Sequence, residues 1–334
     1  MVFEDSVGLV KEELDAVEAA LRKNFMSDVV MIPEISRYLS EGGGKRIRPL
    51  LLLTASKLCG YHNGDRPINI SCVVEFIHSA TLLHDDVVDE AHIRRGKASS
   101  NVKWGNEASV LVGDYLFSKS FQLVAQDNDF RILATISEAS RRLIEGEVLQ
   151  LTQRRSIFTT EKEYFDMVRR KTAALIASSC QAGAIIGKAP EETESALFRY
   201  GDQIGMAFQL IDDLLDYISE EEKLGKPARN DLREGHITLP LIRLLARAGE
   251  KEKKMIKGIV SSDEGIMDGA AKVLDLMEKY AVVEYTIEKA REFVREGKKE
   301  IAGLPPSIYL DSLFAIADYV VEKRVESCLK GASL

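Results

Sequence analysis

Apolar residues recur along this chain at helical spacing. Leu9, Leu14, Val17 and Leu21 share one face of a first helix, and Ile32, Ile35 and Leu39 one face of a second. Alternating runs of Val, Ile and Thr, the mark of half-buried strands, are missing. Punctuation falls at 42–44, 60–67, 94–96, 128–129, 187–190, 224–227, 249 and 303–306. That leaves about ten to thirteen helices with short joins. No Pro/Ser-rich linker splits the chain, and no fixed-period repeat is visible. The pattern predicts an all-α fold: a single domain over 1–334, built as a bundle of long helices around a central cavity.

Composition sharpens this in three places. A hydrophobic content of 45% in 334 residues supports a large core. A net charge of -8, with no basic stripe along any helix, argues against a nucleic-acid partner. Cys59, Cys72, Cys180 and Cys328 lie far apart among apolar or small neighbours, without metal spacing; they read as reduced core thiols of a cytoplasmic protein. The acidic, amphipathic N-terminus lacks the basic start and cleavage site of a signal peptide. The most apolar stretch, TAALIASSCQAGAIIG at 172–187, is short for a membrane span and suits a central helix closely packed by its neighbours.

Two acidic clusters stand out against that apolar background. Residues 82–96 read LLHDDVVDEAHIRRG, and residues 208–217 read FQLIDDLLDY. Asp85, Asp86 and Asp89 therefore have the same spacing as Asp212, Asp213 and Asp216. Residues four apart share a helix face, so Asp85 and Asp89 can hold one ion. A lone DDxxD reads equally well as a solvated acidic helix end. With 21 aspartates in 334 residues, however, chance produces two in well under about one chain in a hundred. The flanks are apolar (Leu82, Leu83, Val87, Val88; Leu210, Ile211, Leu214, Leu215), which predicts largely buried helices with carboxylates lining a cavity. Buried carboxylates need paired charge or metal. Oxygen-only ligands suit Mg²⁺ carrying phosphate, and Arg94 and Arg95 stand ready to grip that phosphate.

Other candidates fall around these motifs. Residues 42–49, GGGKRIRP, place Lys45 and Arg48 beside a Gly-rich turn at a helix start, an arrangement suited to an anion. The spacing is not that of a nucleotide P-loop, and alone it is a flexible loop with surface cations. His78 lies two turns before Asp85 on the same face; a lone histidine on an apolar helix is otherwise a satisfied core residue. His84 points elsewhere and reads as structural. Lys171 and Thr172 open the apolar stretch, where a lysine wants an anion. Gln209 precedes Asp212 by three residues, and Lys226 lies in a loop, LGKPARNDLREGH, able to close over a diphosphate. Glu147 and Gln150 are polar among apolar neighbours without an assigned task.

Two DDxxD motifs, GGGKRIRP, the histidine of EFIH, RRG, KT, FQLIDD and GKP occur in order over roughly residues 40–245. This set resembles the trans-isoprenyl diphosphate synthase family, and within it the long-chain, octaprenyl-type enzymes. The resemblance implies a Mg²⁺-dependent homodimer, with three ions once diphosphate is bound. Its reaction joins isopentenyl diphosphate head-to-tail to an allylic diphosphate. By the same resemblance, Lys45, Arg48, His78 and Arg95 bind isopentenyl diphosphate, while Arg94, Lys171 and Lys226 bind the allylic diphosphate. Thr172 and Gln209 line the carbocation. Asp85, Asp89 and Asp212 hold Mg²⁺, supported by Asp86, Asp213 and Asp216. The sequence departs from the family after Lys226: Arg229 replaces a usual glycine, and His236 a usual lysine at the allylic diphosphate.

Product length turns on Ala80, flanked by the small Ser79 and Thr81, five residues before Asp85. Short-chain relatives carry an aromatic near this position; its absence implies a deeper channel, with Phe117, Phe121 and Val124 as candidate floor. Plain helix packing explains the same residues. A shorter-chain farnesyl or geranylgeranyl synthase, a terpene cyclase and a non-catalytic synthase subunit are the competing readings.

Overall fold

The computed structural model describes residues 1–41, 43–218, 230–261 and 263–329. It divides into two compact units: residues 1–140, 175–201 and 299–316 form the first, and residues 141–174, 202–298 and 317–334 the second.

The first unit is organised on one long helix. In chain order it holds α1 (Phe3–Gly8), α2 (Lys11–Asn24), α3 (Met31–Glu41), α4 (Ile47–Leu58), α5 (Arg66–Val88), α6 (Ser100–Trp104) and α7 (Asn106–Gln126). Helix α5 packs against α2, α3, α4, α6 and α7. Pro67 fixes its first turn, and its run from Ile70 to Ile77 is buried all round, as a helix surrounded by helices requires. Helix α4 buries Leu50, Leu51, Leu52 and Leu53 together, worth roughly 2 kcal/mol each in gross transfer free energy. Helices α5 and α7 run antiparallel. Arg66 at the start of α5 pairs with Asp127 past the end of α7 at 2.7 Å, and His84 near the end of α5 lies 3.2 Å from the Val110 carbonyl near the start of α7.

The apolar stretch expected to be central is so. It forms most of α10 (Ala174–Ile186), and from Ala173 to Cys180 every residue is buried. Its glycine spacing has a steric cause: a Cβ on Gly183 would sit 2.4 Å from the Leu52 carbonyl oxygen. No helix among the described residues is long and apolar enough to cross a membrane. Cys59, Cys72 and Cys180 are free thiols, and burial pushes Cys72 up to about 12.

A small antiparallel hairpin, β1 (Ile93–Arg94) with β2 (Lys97–Ala98), interrupts the helices; its strands are too short to show the alternation of a half-buried strand. Arg95 and Gly96 form its two-residue turn, both with positive φ (52° and 76°), as a twist-matched hairpin turn demands.

The second unit takes in the later part of α8 (Phe130–Gln153), then α9 (Glu161–Val168) and the part of α11 (Glu191–Ile218) from residue 202. Helix α9 opens on a capping box: Thr160 Oγ accepts from the Glu163 amide, and Glu163 accepts from the Thr160 amide at 2.8 Å. Its end passes into a π-helical turn, Arg169–Ala173. Helix Leu239–Arg247 packs on α9 and on Asp263–Lys279, and Glu250–Val260 packs on Asp263–Lys279. A second π-helical turn, Tyr319–Lys323, precedes Arg324–Leu329.

Candidate active site

In the first unit, α5 ends inside its aspartate motif. Asp89 caps the helix, and its amide donates to the Asp85 carbonyl at 2.8 Å. The three carboxylates divide. Asp85 and Asp89 are half-buried, whereas Asp86 is wholly buried and turned toward the hairpin, where Arg94 Nε donates to its Oδ1 at 2.7 Å. The Asp86 backbone carbonyl takes a hydrogen bond from Asn101 at 3.0 Å. Asp86 Oδ2 is buried with no hydrogen-bond partner among the described residues. Burial raises Asp86 above the usual carboxylate range despite Arg94 beside it. Such a cluster, with an orphaned carboxylate oxygen, fits a hard divalent cation. The motif is wetter than expected at its end, Val88 being 46% exposed.

Beside it lies a concentration of cations. Desolvation and the charges of Arg48, Arg95, Arg94 and Arg46 hold His78 well below its ordinary value, so its imidazole is neutral. Arg95 donates to the Gly43 carbonyl, and its guanidinium lies 3.4 Å from where a Cβ on Gly44 would be. Arg95 thus rests against the Gly-rich turn. Arg48 lies on the first turn of α4 and Lys45, exposed, just before it. Arg48, Arg94 and Arg95 around a neutral hydrogen-bonding imidazole form a receptor for a polyanion, while the Arg46 guanidinium is taken up by Glu18 and Glu75. His84 is engaged elsewhere, between the Val110 carbonyl and Asp114, against Gly113.

The second unit repeats the division. Asp212 is exposed, while Asp213 and Asp216 are buried. Tyr164 donates to Asp213 Oδ2 at 2.5 Å, and the Gln209 amide donates to Oδ1 at 2.6 Å. Thr172 Oγ donates to Gln209 Oε1 at 2.9 Å, which completes a chain Thr172–Gln209–Asp213–Tyr164. Burial pushes Asp213 up to about 6 and Tyr164 well above its ordinary range. Asp216 Oδ2 accepts from the Asp231 amide at 2.9 Å. Lys171, in the π-helical turn, is held by Glu147 Oε2 at 2.6 Å and Gln150 Oε1 at 2.5 Å. Those are the two polar residues whose task was open. π-Helical turns recur at functional sites because they re-aim one side chain within a helix. His236 is buried, its Nδ1 3.3 Å from Glu234 Oε2. Lys226 and Arg229 lie outside the described residues.

Residues 29–277, most of the chain, match the polyprenyl synthetase family. The chain belongs to that family. Among its relatives, the octaprenyl diphosphate synthase of Escherichia coli is 38% identical over 315 residues, covering 94% of this chain and 97% of the relative. A short chain isoprenyl diphosphate synthase of Methanothermobacter thermautotrophicus is also 38% identical, covering 86% and 89%. A solved structure of the polyprenyl synthase of Caulobacter crescentus, complexed with calcium and isoprenyl diphosphate, superposes with a TM-score of 0.93 at 36% identity, covering 96% of this chain and 98% of that one. The synthetase is accordingly a prenyltransferase with the all-α isoprenoid synthase fold.

Several residues that brace the candidate site were not singled out from the sequence. Tyr164 and Arg324 are two. The Arg324 guanidinium stacks 4.5 Å from the centre of the Phe208 ring, donates to the Phe208 carbonyl at 3.2 Å and pairs with Asp212. Glu18, Arg46 and Glu75 are three more, joined in one partly buried network; Arg46 lies inside GGGKRIRP, but the motif does not mark it apart from Lys45 and Arg48. The buried Glu75, on the face before His78, carried a sequence signal of its own: a charge inside an apolar run. The candidate chain-length residues all lie in the first unit. Ala80 and Val124 are buried, and Phe117 and Phe121 are half-buried with ring centres 5.5 Å apart. The antiparallel register, with 66 beside 127 and 84 beside 110, puts Asp114 near the level of Ala80, Phe117 about one turn deeper, and Phe121 and Val124 deeper still.

Proposed function

We propose that this synthetase condenses isopentenyl diphosphate head-to-tail with an allylic diphosphate and repeats the step to a long-chain all-trans polyprenyl diphosphate. The observation that carries the reading is the polyanion receptor around His78. A cyclase, which uses one diphosphate substrate, has no need of it. The two whole aspartate motifs argue against a non-catalytic subunit.

In the first unit, Lys45, Arg48, His78 and Arg95 take isopentenyl diphosphate, Arg94 meets the allylic diphosphate, and Asp85 and Asp89 are metal ligands. In the second unit, Asp212 is a metal ligand, and Lys171 with Lys226 meets the allylic diphosphate; His236 is a further candidate contact there. Magnesium, three ions by family likeness, supplies charge neutralisation for the departing diphosphate. Asp86, Asp213 and Asp216 support from within. Asp86 aims Arg94, and Asp213 fixes the Gln209 amide between itself and Thr172. The Thr172 hydroxyl and Gln209 carbonyl offer dipoles that steady an allylic cation without attacking it. No acid–base dyad is required, since the released diphosphate can accept the final proton.

The small, buried Ala80 supports a deep channel and a long product. Equal identity to an octaprenyl and a short chain relative keeps a shorter-chain synthase as the second reading. We further read the two units as one synthase domain over 1–334, working as a homodimer in the cytoplasm. Exposed apolar residues, Val110 and Leu111 on α7 and Ile144, Val148 and Leu151 on α8, are the candidate dimer contacts.

The test is incorporation of labelled isopentenyl diphosphate into extractable product by purified protein with farnesyl diphosphate and magnesium. Label should enter only when all three are present. Asp85→Ala and Asp212→Ala should each lower turnover by at least about a hundredfold with the helical circular dichroism intact. Incorporation independent of the allylic primer, or full activity in either variant, contradicts the reading.

A further inference from the structure

Arg46 occupies a backbone position that glycine fills best. Its φ of 47° and ψ of 42° are left-handed, and no side-chain cap closes the helix start there. The chain has glycines at 42, 43 and 44, yet places a long cationic side chain at 46. That side chain turns into the protein. Nε donates to Glu18 Oε1 at 2.5 Å, Nη1 to Glu75 Oε2 at 2.6 Å and Nη2 to Ser40 Oγ at 3.2 Å. The Arg46 and Glu75 side chains are 16% and 3% exposed. One guanidinium fork thereby ties the Gly-rich turn to α2, α3 and α5. Burial works against the Arg46 charge, but Glu75 and Glu18 more than offset it.

The backbone of Arg46 has a second task. Its carbonyl accepts from the Leu50 amide at 2.8 Å, one of the first hydrogen bonds of α4. The direction in which α4 leaves the turn, and with it the position of Arg48 on the first turn, follows from the conformation at 46. On the other side, Gly43 and Gly44 seat Arg95. Glu75 stands one turn before His78 on α5. The clamp therefore lies beside the supports of Lys45, Arg48, His78 and Arg95.

We infer that Arg46, locked by Glu75 and Glu18, is a positioning residue for the isopentenyl diphosphate subsite. It sets Lys45, Arg48, His78 and Arg95 without itself meeting substrate. A flexible Gly-rich turn alone would leave these cations to be ordered on binding, at the cost of affinity. The strained arginine orders them in advance. The inference rests on the assignment of that receptor to isopentenyl diphosphate.

Three variants of the full-length enzyme test it: Arg46→Lys, Arg46→Gln, and the double change Arg46→Gln with Glu75→Gln. Arg46→Gln alone strands a buried carboxylate and should lower the melting temperature; the double variant, free of buried charge, should recover most of that loss. Both, and Arg46→Lys to a lesser degree, should raise KM for isopentenyl diphosphate at least about tenfold, while KM for the allylic substrate and kcat stay within about threefold. Calorimetric binding of isopentenyl diphosphate to protein without allylic substrate should weaken in parallel. A double variant that regains both its melting temperature and the wild-type KM for isopentenyl diphosphate would make Arg46 a stability residue only. Equal rises in both KM values would likewise overturn the inference. A wild-type enzyme that fails to bind isopentenyl diphosphate would instead sink the assignment on which it rests.

Discussion

In both aspartate motifs the second carboxylate turns inward, Asp86 to Arg94 and Asp213 to Tyr164 and Gln209. Spacing alone puts Asp85 and Asp89 on one face apart from Asp86, so their pairing was legible; in the second motif the same spacing does not hold, since Asp216 is buried with Asp213. Of the inward residues' partners, Arg94 and Gln209 lie close in sequence, whereas Tyr164 precedes Asp213 by 49 residues and was not legible; nor was Arg324, which follows the exposed Asp212 by 112. His78 offers a test at this scale. The folded protein holds its imidazole well below the ordinary value of 6.5, so the unfolded chain binds that proton first as pH falls. The folded state therefore loses stability progressively as pH drops below about 6.5, and keeps it in full above. His78→Gln should flatten this part of the acid limb when urea midpoints are compared at about pH 5.5 and 7.5. Equal pH dependence in both proteins would contradict a neutral His78 among cations.

At the scale of elements, the long helices followed from periodicity and punctuation, but the described residues hold more than the roughly ten to thirteen helices expected. Short ones such as Phe3–Gly8 and Ser100–Trp104 span too few turns for a period to show. The small-residue stretch of α10 announced its close packing. Gly183 carries that packing: a Cβ there meets the Leu52 carbonyl oxygen at 2.4 Å. Gly183→Ala should cost about 1–3 kcal/mol by overpacking, read as a fall in melting temperature. The hairpin escaped notice because its strands are two residues each, too short for any period; only the Arg-Gly pair marked its turn. The π-helical turn at Lys171 was equally silent, since one extra residue in a helical turn leaves composition unchanged. Between α5 and α7 the antiparallel register puts Phe117 about one turn deeper than Ala80. If Ala80 borders the product channel, Ala80→Phe should shorten the product while the first condensation continues. If it serves packing alone, the same change should lower stability and leave product length as in the wild type, as determined by reversed-phase sizing of the dephosphorylated products.

At the scale of the whole molecule, ordered motifs identified the family before any contact was known, and similarity over nearly the full length agrees. What those motifs describe is the chemistry at the diphosphate end, common to long- and short-chain members. In the proposed reading, product length is set where the apolar tail stops, and the candidates for that place, Ala80, Phe121 and Val124, carry no chemical signature. The most direct measurement is therefore the size of the product made by the purified wild-type chain from farnesyl diphosphate, isopentenyl diphosphate and magnesium. The predicted result is an all-trans polyprenyl diphosphate of the octaprenyl class, without accumulation of geranylgeranyl diphosphate; a product that stops at geranylgeranyl length would contradict it.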